Sequence, residues 1–463
     1  MGRFRVVIAG GGVAGLEALL ALHELASERV EMTLLAPQQE FVSRPLSVAE
    51  PFDLTDPRSF PLGEIAREHD ARFRGEALAR VDPEGRKAVS TDGGELEYDA
   101  LLVAIGVDAA EAVPGALTFR GSRDAPRFKA LLGEIEQGRV SSIAFAMPRD
   151  AAWPLPLYEL ALLTSARARE LGRALDLHLV SPESQPLNLF GARASASVKS
   201  LLEEAGVALH LGWAPVAFEA GALQLDDGAK LERDRVVAVQ CDRVVAVPVP
   251  VGPELPGLPR VGPRKLVPTD RYGTVEGLDG VYAAGDITSF PIKQGGLAAQ
   301  QADAAASAIA AAAGAPVTPQ LFRPVLRGAL ITGHAPRFLR AQPDLGLGPV
   351  SSEAARSVLW WPPAKVAGRY LAPYLAAKAG YPTSKRKQLV DVEPPYGDEG
   401  RGLSAGHEDV VELALTSAEA SARWRDFKGA LRWLEVVEDL ELYLPPDYEQ
   451  KRINWQGLAG QND

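Results

Sequence analysis

A chain of 463 residues, 46% hydrophobic and 24% charged, is long enough for two or three domains and too apolar for general disorder. Its net charge of −11 argues against nucleic acid as the main partner, because binding phosphates calls for a basic surface. The single cysteine, Cys241, excludes an intrachain disulfide, and no uncharged apolar run reaches the ~18 residues of a membrane span, so a cytoplasmic protein is expected.

Arg5–Ala9 reads as a buried strand, Val13–Leu25 as a helix and Val30–Leu35 as the next strand. The charged start and apolar stretch imitate a signal peptide, but Gly10-Gly11-Gly12 interrupts the stretch and Glu17, His23 and Glu24 follow it. Further strands are expected at Ala100–Ala104, Ser142–Phe145, Asp176–Val180 and Val281–Ala284, with helices at Leu155–Arg169, Ala194–Glu204 and Gly296–Ala312. The alternation predicts an α/β fold of two Rossmann-like, doubly wound domains. The second βαβ-like unit occupies roughly Arg139–Val180, and the Pro-rich stretch Val247–Pro263 returns the chain to the first domain. The expected divisions are a discontinuous first domain at 1–111 and 262–330, a second at 112–261 and a C-terminal region at 331–463.

Gly10-x-Gly12-x-x-Gly15 closes the first strand and opens the first helix, which is the context a dinucleotide-binding turn requires. The first glycine permits the tight turn, the second lets backbone approach a pyrophosphate, and the third lets helix and strand pack closely. The helix N-terminus at Val13 and Ala14 then offers free N–H groups and a positive dipole. An acid normally follows about 20 positions on, at the end of the second strand, to hold the ribose. Ala36 stands there, before Pro37, and leaves the ribose to a neighbour such as Gln38 or to water. Val281–Asp286 is a strand ending in Gly285-Asp286, and the helix after it can aim its positive end at a flavin pyrimidine. Tyr98–Gly106, with Ala104 and Gly106 at its end, supplies a third element.

These three stretches, in this order and spacing, resemble the flavoproteins with two dinucleotide-binding domains, the pyridine nucleotide-disulfide oxidoreductase superfamily. Gly285-Asp286 is similar to the second FAD motif of that superfamily, and Tyr98–Gly106 to its connecting motif, with Ile105 in place of the usual threonine. Three further stretches resemble its sulfide:quinone oxidoreductase, flavocytochrome c sulfide dehydrogenase and type II NADH dehydrogenase branch: Phe41–Leu46 with Arg44 and Pro45, Val180–Glu183 with Phe190-Gly191, and Phe290–Gly296 with Lys293, Gln294 and Gly295. The likeness covers roughly residues 4–330 and implies FAD as cofactor and oxidoreductase activity.

Three activities of such proteins can be weighed against the residues. Disulfide reduction and sulfide oxidation work through paired cysteines, and Cys241 is alone in a Val-rich strand. NAD(P)H oxidation needs a second phosphate-binding turn, but Met147–Pro156 has no glycine, carries Trp153 and three prolines, and sets Asp150 beside Arg149. That composition suits a degenerate, NAD(P)-binding-like scaffold whose Trp-Pro turn closes the flavin pocket. Quinone reduction needs no cysteines. Lys293 is placed to stabilise negative charge on reduced flavin or to polarise a substrate carbonyl, or else is a solvated lysine, and Glu159 is either a proton relay or structural. The leading expectation is an FAD oxidoreductase passing electrons to a quinone-like small molecule. Its alternatives are an NAD(P)H dehydrogenase with an atypical turn, and a flavoprotein subunit whose FAD is structural or serves a partner protein. The six histidines show no metal-ligand spacing.

Between Glu353 and Asp391 there is no acid, while Arg356, Lys365, Arg369, Lys378, Lys385, Arg386 and Lys387 alternate with Trp360, Trp361, Tyr370, Tyr374 and Tyr381. Segment 356–387 therefore suits a peripheral membrane contact, or packs on the flavin domain and meets acidic partners. Ala364–Lys378 is expected as a helix kinked at Pro373, and Ser417–Leu444 as an amphipathic helix, a candidate homodimer contact, ending at Pro445-Pro446.

Overall fold

The computed structural model describes residues 2–44, 46–55, 57–226, 237–334, 336–344, 348–356, 358–361, 364–378 and 390–391, and parts of 414–459. Two parallel five-stranded sheets organise these residues. The first runs Val281–Ala283, Ala100–Val103, Phe4–Ala9, Val30–Leu35, Ala71–Arg74 in spatial order. The second runs Leu117–Thr118, Arg243–Ala246, Ser142–Ala146, Asp176–Ser181, Val207–Leu211, the same arrangement except that its outer strand is its first in the chain rather than its last. In each, the first strand of the unit is central and the chain later crosses to its other side. A crevice therefore opens at the carboxyl end of the central strand, where ligands bind in such sheets.

Local sequence explains the elements. The central strands are near-continuous apolar runs, as sheets covered on both faces require, and Val6–Ala9 and Ile143–Ala146 are buried. Helix Val13–Ala26 packs along helix Gly295–Ala312 through Ala18, Ala21, Ala302 and Ala305, whose small side chains let the two backbones approach. Up to Ala312 the expected element ends agree with the structure to within a residue or so, the largest shift there being the helix begun at Gly191 rather than Ala194.

The C-terminal region is interwoven with both sheets rather than set apart. An antiparallel sheet of Leu326–Leu330, Arg337–Asp344 and Gly348–Ala355 shares a core with helices Leu155–Glu170 and Gly191–Glu204. Trp360 is fully buried, its indole N–H donating to Ala364 O at 3.2 Å. The helix expected over 364–378 spans only Leu371–Lys378, because the Glu17 carboxylate accepts the Tyr370 and Leu371 N–H groups and starts it there. Pro373 produces no kink, since it sits in the first turn, where no intrahelical donor is needed. Pro446 likewise opens the helix Pro446–Ala459 rather than ending the preceding one, whose described part is Phe427–Asp439. No helix among the described residues is long and apolar enough to cross a membrane. The basic cluster Lys385-Arg386-Lys387 lies outside the described residues.

A methyl group built on Gly15 would lie 1.8 Å from Gly10 O, a backbone atom that cannot yield. Gly15→Ala is expected to lower stability by about 1–3 kcal/mol or more, read as a fall in the thermal midpoint; an unchanged midpoint would contradict this close contact.

Candidate functional site

A cavity of about 800 Å³ lies at the carboxyl end of the first sheet, within the range of roughly 300–1,000 Å³ typical of cofactor sites. Its floor is the turn after Phe4–Ala9. Gly10 takes φ +121°, and a methyl group there would sit 2.2 Å from Ala104 O, so only glycine lets the neighbouring strand ends meet. Gly12 differs, for nothing lies within 4 Å of the position its Cβ would take. Gly12 is the N-cap of helix Val13–Ala26 and no side chain caps that end, so the first-turn N–H groups face the cavity past Gly12, Val13 and Ala14. An open cradle with an uncapped helix N-terminus fits a pyrophosphate.

The structure gathers most of the sequence-derived site residues on this cavity: Gly10, Gly12, Val13, Ala14, Pro37, Arg44, Ala104, Gly106, Gly285, Asp286, Lys293, Gln294, Gly295 and Glu159 all line it. Gly15 and Ala36 are buried beneath it, Gly15 against Gly10 O and Ala36 under Gly11. Pro45 lies outside the described residues. Besides Gln38, Glu40 lines the same wall, four residues beyond the position where the ribose acid is missing.

The opposite wall carries charge. Gly285 has φ +81° and its N–H donates to Gln301 Oε1 at 2.7 Å, which fixes the Gly-Asp turn. Burial raises the Asp286 carboxyl above its ordinary range, opposed by the Lys293 charge. Lys293 is buried, and its Nζ donates to Thr288 O and Phe290 O, both at 2.5 Å. Burial pulls its pKa down to about 8, despite Asp286. The reading of Lys293 as a solvated lysine is thereby replaced: it is a buried cation anchored by backbone dipoles at the cavity.

Glu159 is buried at the far end and does not stand alone. Its Oε1 accepts from Lys365 Nζ at 2.7 Å and from Ile331 N–H at 2.9 Å, and Oε2 lies 2.9 Å from the same lysine. Burial raises the Glu159 carboxyl and Lys365 lowers it. Lys365 and Arg327 also line the cavity, the latter from strand Leu326–Leu330. Neither was legible beforehand, because each comes from a segment whose docking only the fold sets.

The turn of the second unit contributes to the cavity of the first sheet. Trp153, Leu155 and Pro156 of the Trp-Pro turn project into the cavity of the first sheet, and Lys293 N–H donates to Ala152 O at 3.2 Å. Trp153 stacks edge-on against Phe190, with centroids 5.9 Å apart. Asp150 pairs with Arg264 at 3.0 Å and Arg149 approaches Asp226 at 3.7 Å. Glu183, just past Asp176–Ser181, occupies the ribose-acid position of that unit. It accepts from Tyr158 Oη at 2.6 Å, Ser181 Oγ at 3.1 Å and Asn188 N–H at 3.0 Å. Cys241 lies in the core beside Val244 and Leu223, its thiol pushed up to about 11 by burial, and does not line the cavity.

No family model matches the chain. A curated protein of Aquifex aeolicus (strain VF5), described as sulfide-quinone reductase, is 24% identical over 223 residues, which cover 46% of this chain and 51% of the relative. The match thus spans about half the relative's length. Among solved structures, the sulfide:quinone oxidoreductase of Aquifex aeolicus superposes with a TM-score of 0.68 at 18% identity, over 76% of this chain and 86% of that one. NDH2 from Plasmodium falciparum in complex with NADH gives a TM-score of 0.51 at 13% identity, over 62% and 65%. These likenesses establish the fold.

A lysine whose folded-state pKa is about 8 against an ordinary 10.5 leaves the unfolded chain holding more proton between those values, so its contribution to stability rises with pH across that window. Between pH 8 and 10.5 the apoprotein is expected to gain on the order of 3 kcal/mol relative to Lys293→Met. Chemical denaturation of both at several pH values measures it, and a constant difference would mean the Lys293 charge is not buried.

Proposed function

We propose, from the premise that the chain belongs to the pyridine nucleotide-disulfide oxidoreductase superfamily of flavoproteins, that it is an FAD-dependent oxidoreductase delivering electrons to a quinone-like acceptor without redox cysteines. The observation that carries the reading is the single cavity that joins the Gly10–Ala14 cradle, the Gly285-Asp286 turn and buried Lys293. When bound, FAD supplies two-electron redox chemistry; the rest falls to the chain. In this reading the N–H groups at Val13 and Ala14 hold the pyrophosphate, and Gln38 with Glu40 replaces the acid absent at Ala36 in holding the ribose. Asp286 accepts a hydrogen bond from a ribityl hydroxyl. Lys293 Nζ, fixed by two carbonyls, offers positive charge to an anion forming beside it and can release a proton near neutral pH. The buried Glu159–Lys365 pair holds a second proton-exchanging group at the other end.

Two observations favour a quinone-like acceptor over nicotinamide chemistry. Trp153 and its prolines stand where backbone would meet the second pyrophosphate, and Tyr158 takes up the Glu183 carboxylate that would hold the second ribose. The solitary Cys241, buried away from the cavity, removes cysteine-pair chemistry. The name of the Aquifex aeolicus relative, sulfide-quinone reductase, supports the acceptor class.

Anaerobic mixing of the FAD-loaded protein with NADH or NADPH is expected to leave the flavin absorbance unbleached. After chemical reduction, a soluble quinone analogue is expected to reoxidise it within seconds. Rapid bleaching by NADH would favour the NADH dehydrogenase reading instead, and failure to reoxidise with any quinone would overturn the proposal. Gly12→Val is expected to abolish FAD binding by filling the open cradle, and Glu40→Ala to weaken it about tenfold, as loss of one charged hydrogen bond does. Equilibrium titration of the apoproteins with FAD checks both.

A further inference from the structure

The C-terminal arm 364–378 lines part of the cavity and is held at four places by residues of other segments. At its start, Lys365 Nζ pairs with Glu159 of helix Leu155–Glu170. Next, the Gln294 side-chain amide reaches Arg327 O at 3.3 Å and Lys365 O at 3.5 Å, while its Oε1 caps helix Gly295–Ala312. Val366 lies so close that a methyl group on Gly295 would come within 2.9 Å of it. In the middle, the fully buried Glu17 accepts Tyr370 N–H and Leu371 N–H, each at 2.8 Å, one on each carboxylate oxygen. A methyl group on Gly368 would sit 2.6 Å from Glu17 Oε2, so a side chain there would push this carboxylate aside. At its end, Tyr374 Oη donates to Glu68 at 2.7 Å and Lys378 pairs with Glu64 and Glu68.

Glu17 projects from the helix whose N-terminus forms the cradle, less than two turns from Gly12. Asp303, on the helix packed against it, is pushed well above the carboxylate range by burial and by the Glu17 charge, with Arg369 opposing. Burial also raises Glu17, but the arm's N–H groups stabilise its charged form. The proton of the pair therefore rests on Asp303, and Glu17 is the carboxylate that receives the arm. Between these anchors, Val366, Leu371, Ala372 and Leu375 line the cavity.

We propose that arm 364–378 is a strap that retains the dinucleotide, with Glu17 as the positioning residue that latches it. The inference rests on the FAD reading above. A carboxylate linking the cradle helix to the strap couples the two: cofactor in the cradle favours the docked strap, and the docked strap slows cofactor release, with the same coupling factor in both directions.

The test follows FAD release from the holoprotein by recovery of free-flavin fluorescence after dilution, together with hydrogen exchange at Tyr370 and Leu371. Glu17→Gln keeps the shape but turns an amide N–H₂ toward one strap N–H, and is expected to speed release at least about tenfold. Tyr374→Phe/Lys378→Ala loosens the strap at its exposed end without touching the core and is expected to speed release by a smaller factor. In the wild type, FAD is expected to slow exchange at Tyr370 and Leu371; a latch that only stabilised the fold would show no such dependence. Release rates equal to wild type in both variants, or exchange indifferent to FAD, would overturn the strap while leaving the FAD reading intact. A wild-type protein that binds no FAD would overturn both. Should Glu17→Gln not fold, the double variant and the exchange measurement decide.

Discussion

The architecture around the cavity depends on a contact made possible by two absent side chains. Gly10 and Gly15 let three backbone segments, the ends of two parallel strands and the start of a helix, converge more closely than any Cβ would permit. That convergence leaves the helix N-terminus uncapped and aimed at open space, which supplies partial positive charge without a basic side chain. An acidic protein can in this way present an anion site without changing the sign of its surface.

The two sheets share a strand arrangement apart from one edge strand, yet their crevices differ in physical character. The first keeps glycine at the turn and stays hollow. The second has exchanged glycine for tryptophan and proline, and those side chains leave their own crevice to wall in the neighbouring cavity. Its ribose-acid position is occupied by Glu183, but the carboxylate is turned inward onto Tyr158, where burial raises the tyrosine well above its ordinary range and the nearby carboxylate reinforces the rise.

Charge is distributed by burial rather than by number. Lys293, Asp286, Glu159, Lys365 and the Glu17–Asp303 pair are all withdrawn from water around one cavity. Buried charges are costly unless paired and hydrogen-bonded, and Lys293, Glu159, Lys365 and Glu17 each have carbonyls, N–H groups or an opposite charge to answer them. Their concentration at a single place marks a candidate functional site.

The sequence by itself determined the two wound sheets, the glycine turn and the Gly-Asp turn, because these depend on short-range rules: apolar runs of strand length, helix starts, and glycine where a side chain would collide. It also showed that the chain holds no cysteine pair and that the second turn lacks glycine. The basic, aromatic stretch from 356 onward was ambiguous, since its composition suits a membrane face as well as an acidic protein surface. Its described part packs inward, onto Glu159, Glu17, Glu64 and Glu68. Glu17 left a trace, a lone acid in the otherwise apolar run Val13–Leu22, but nothing local says what it meets 353 residues away. Only the tertiary structure decided that Lys365, Arg327 and the arm belong to the cavity, because contacts between distant segments follow from how whole elements pack, and that information is spread over the chain rather than written at any one position.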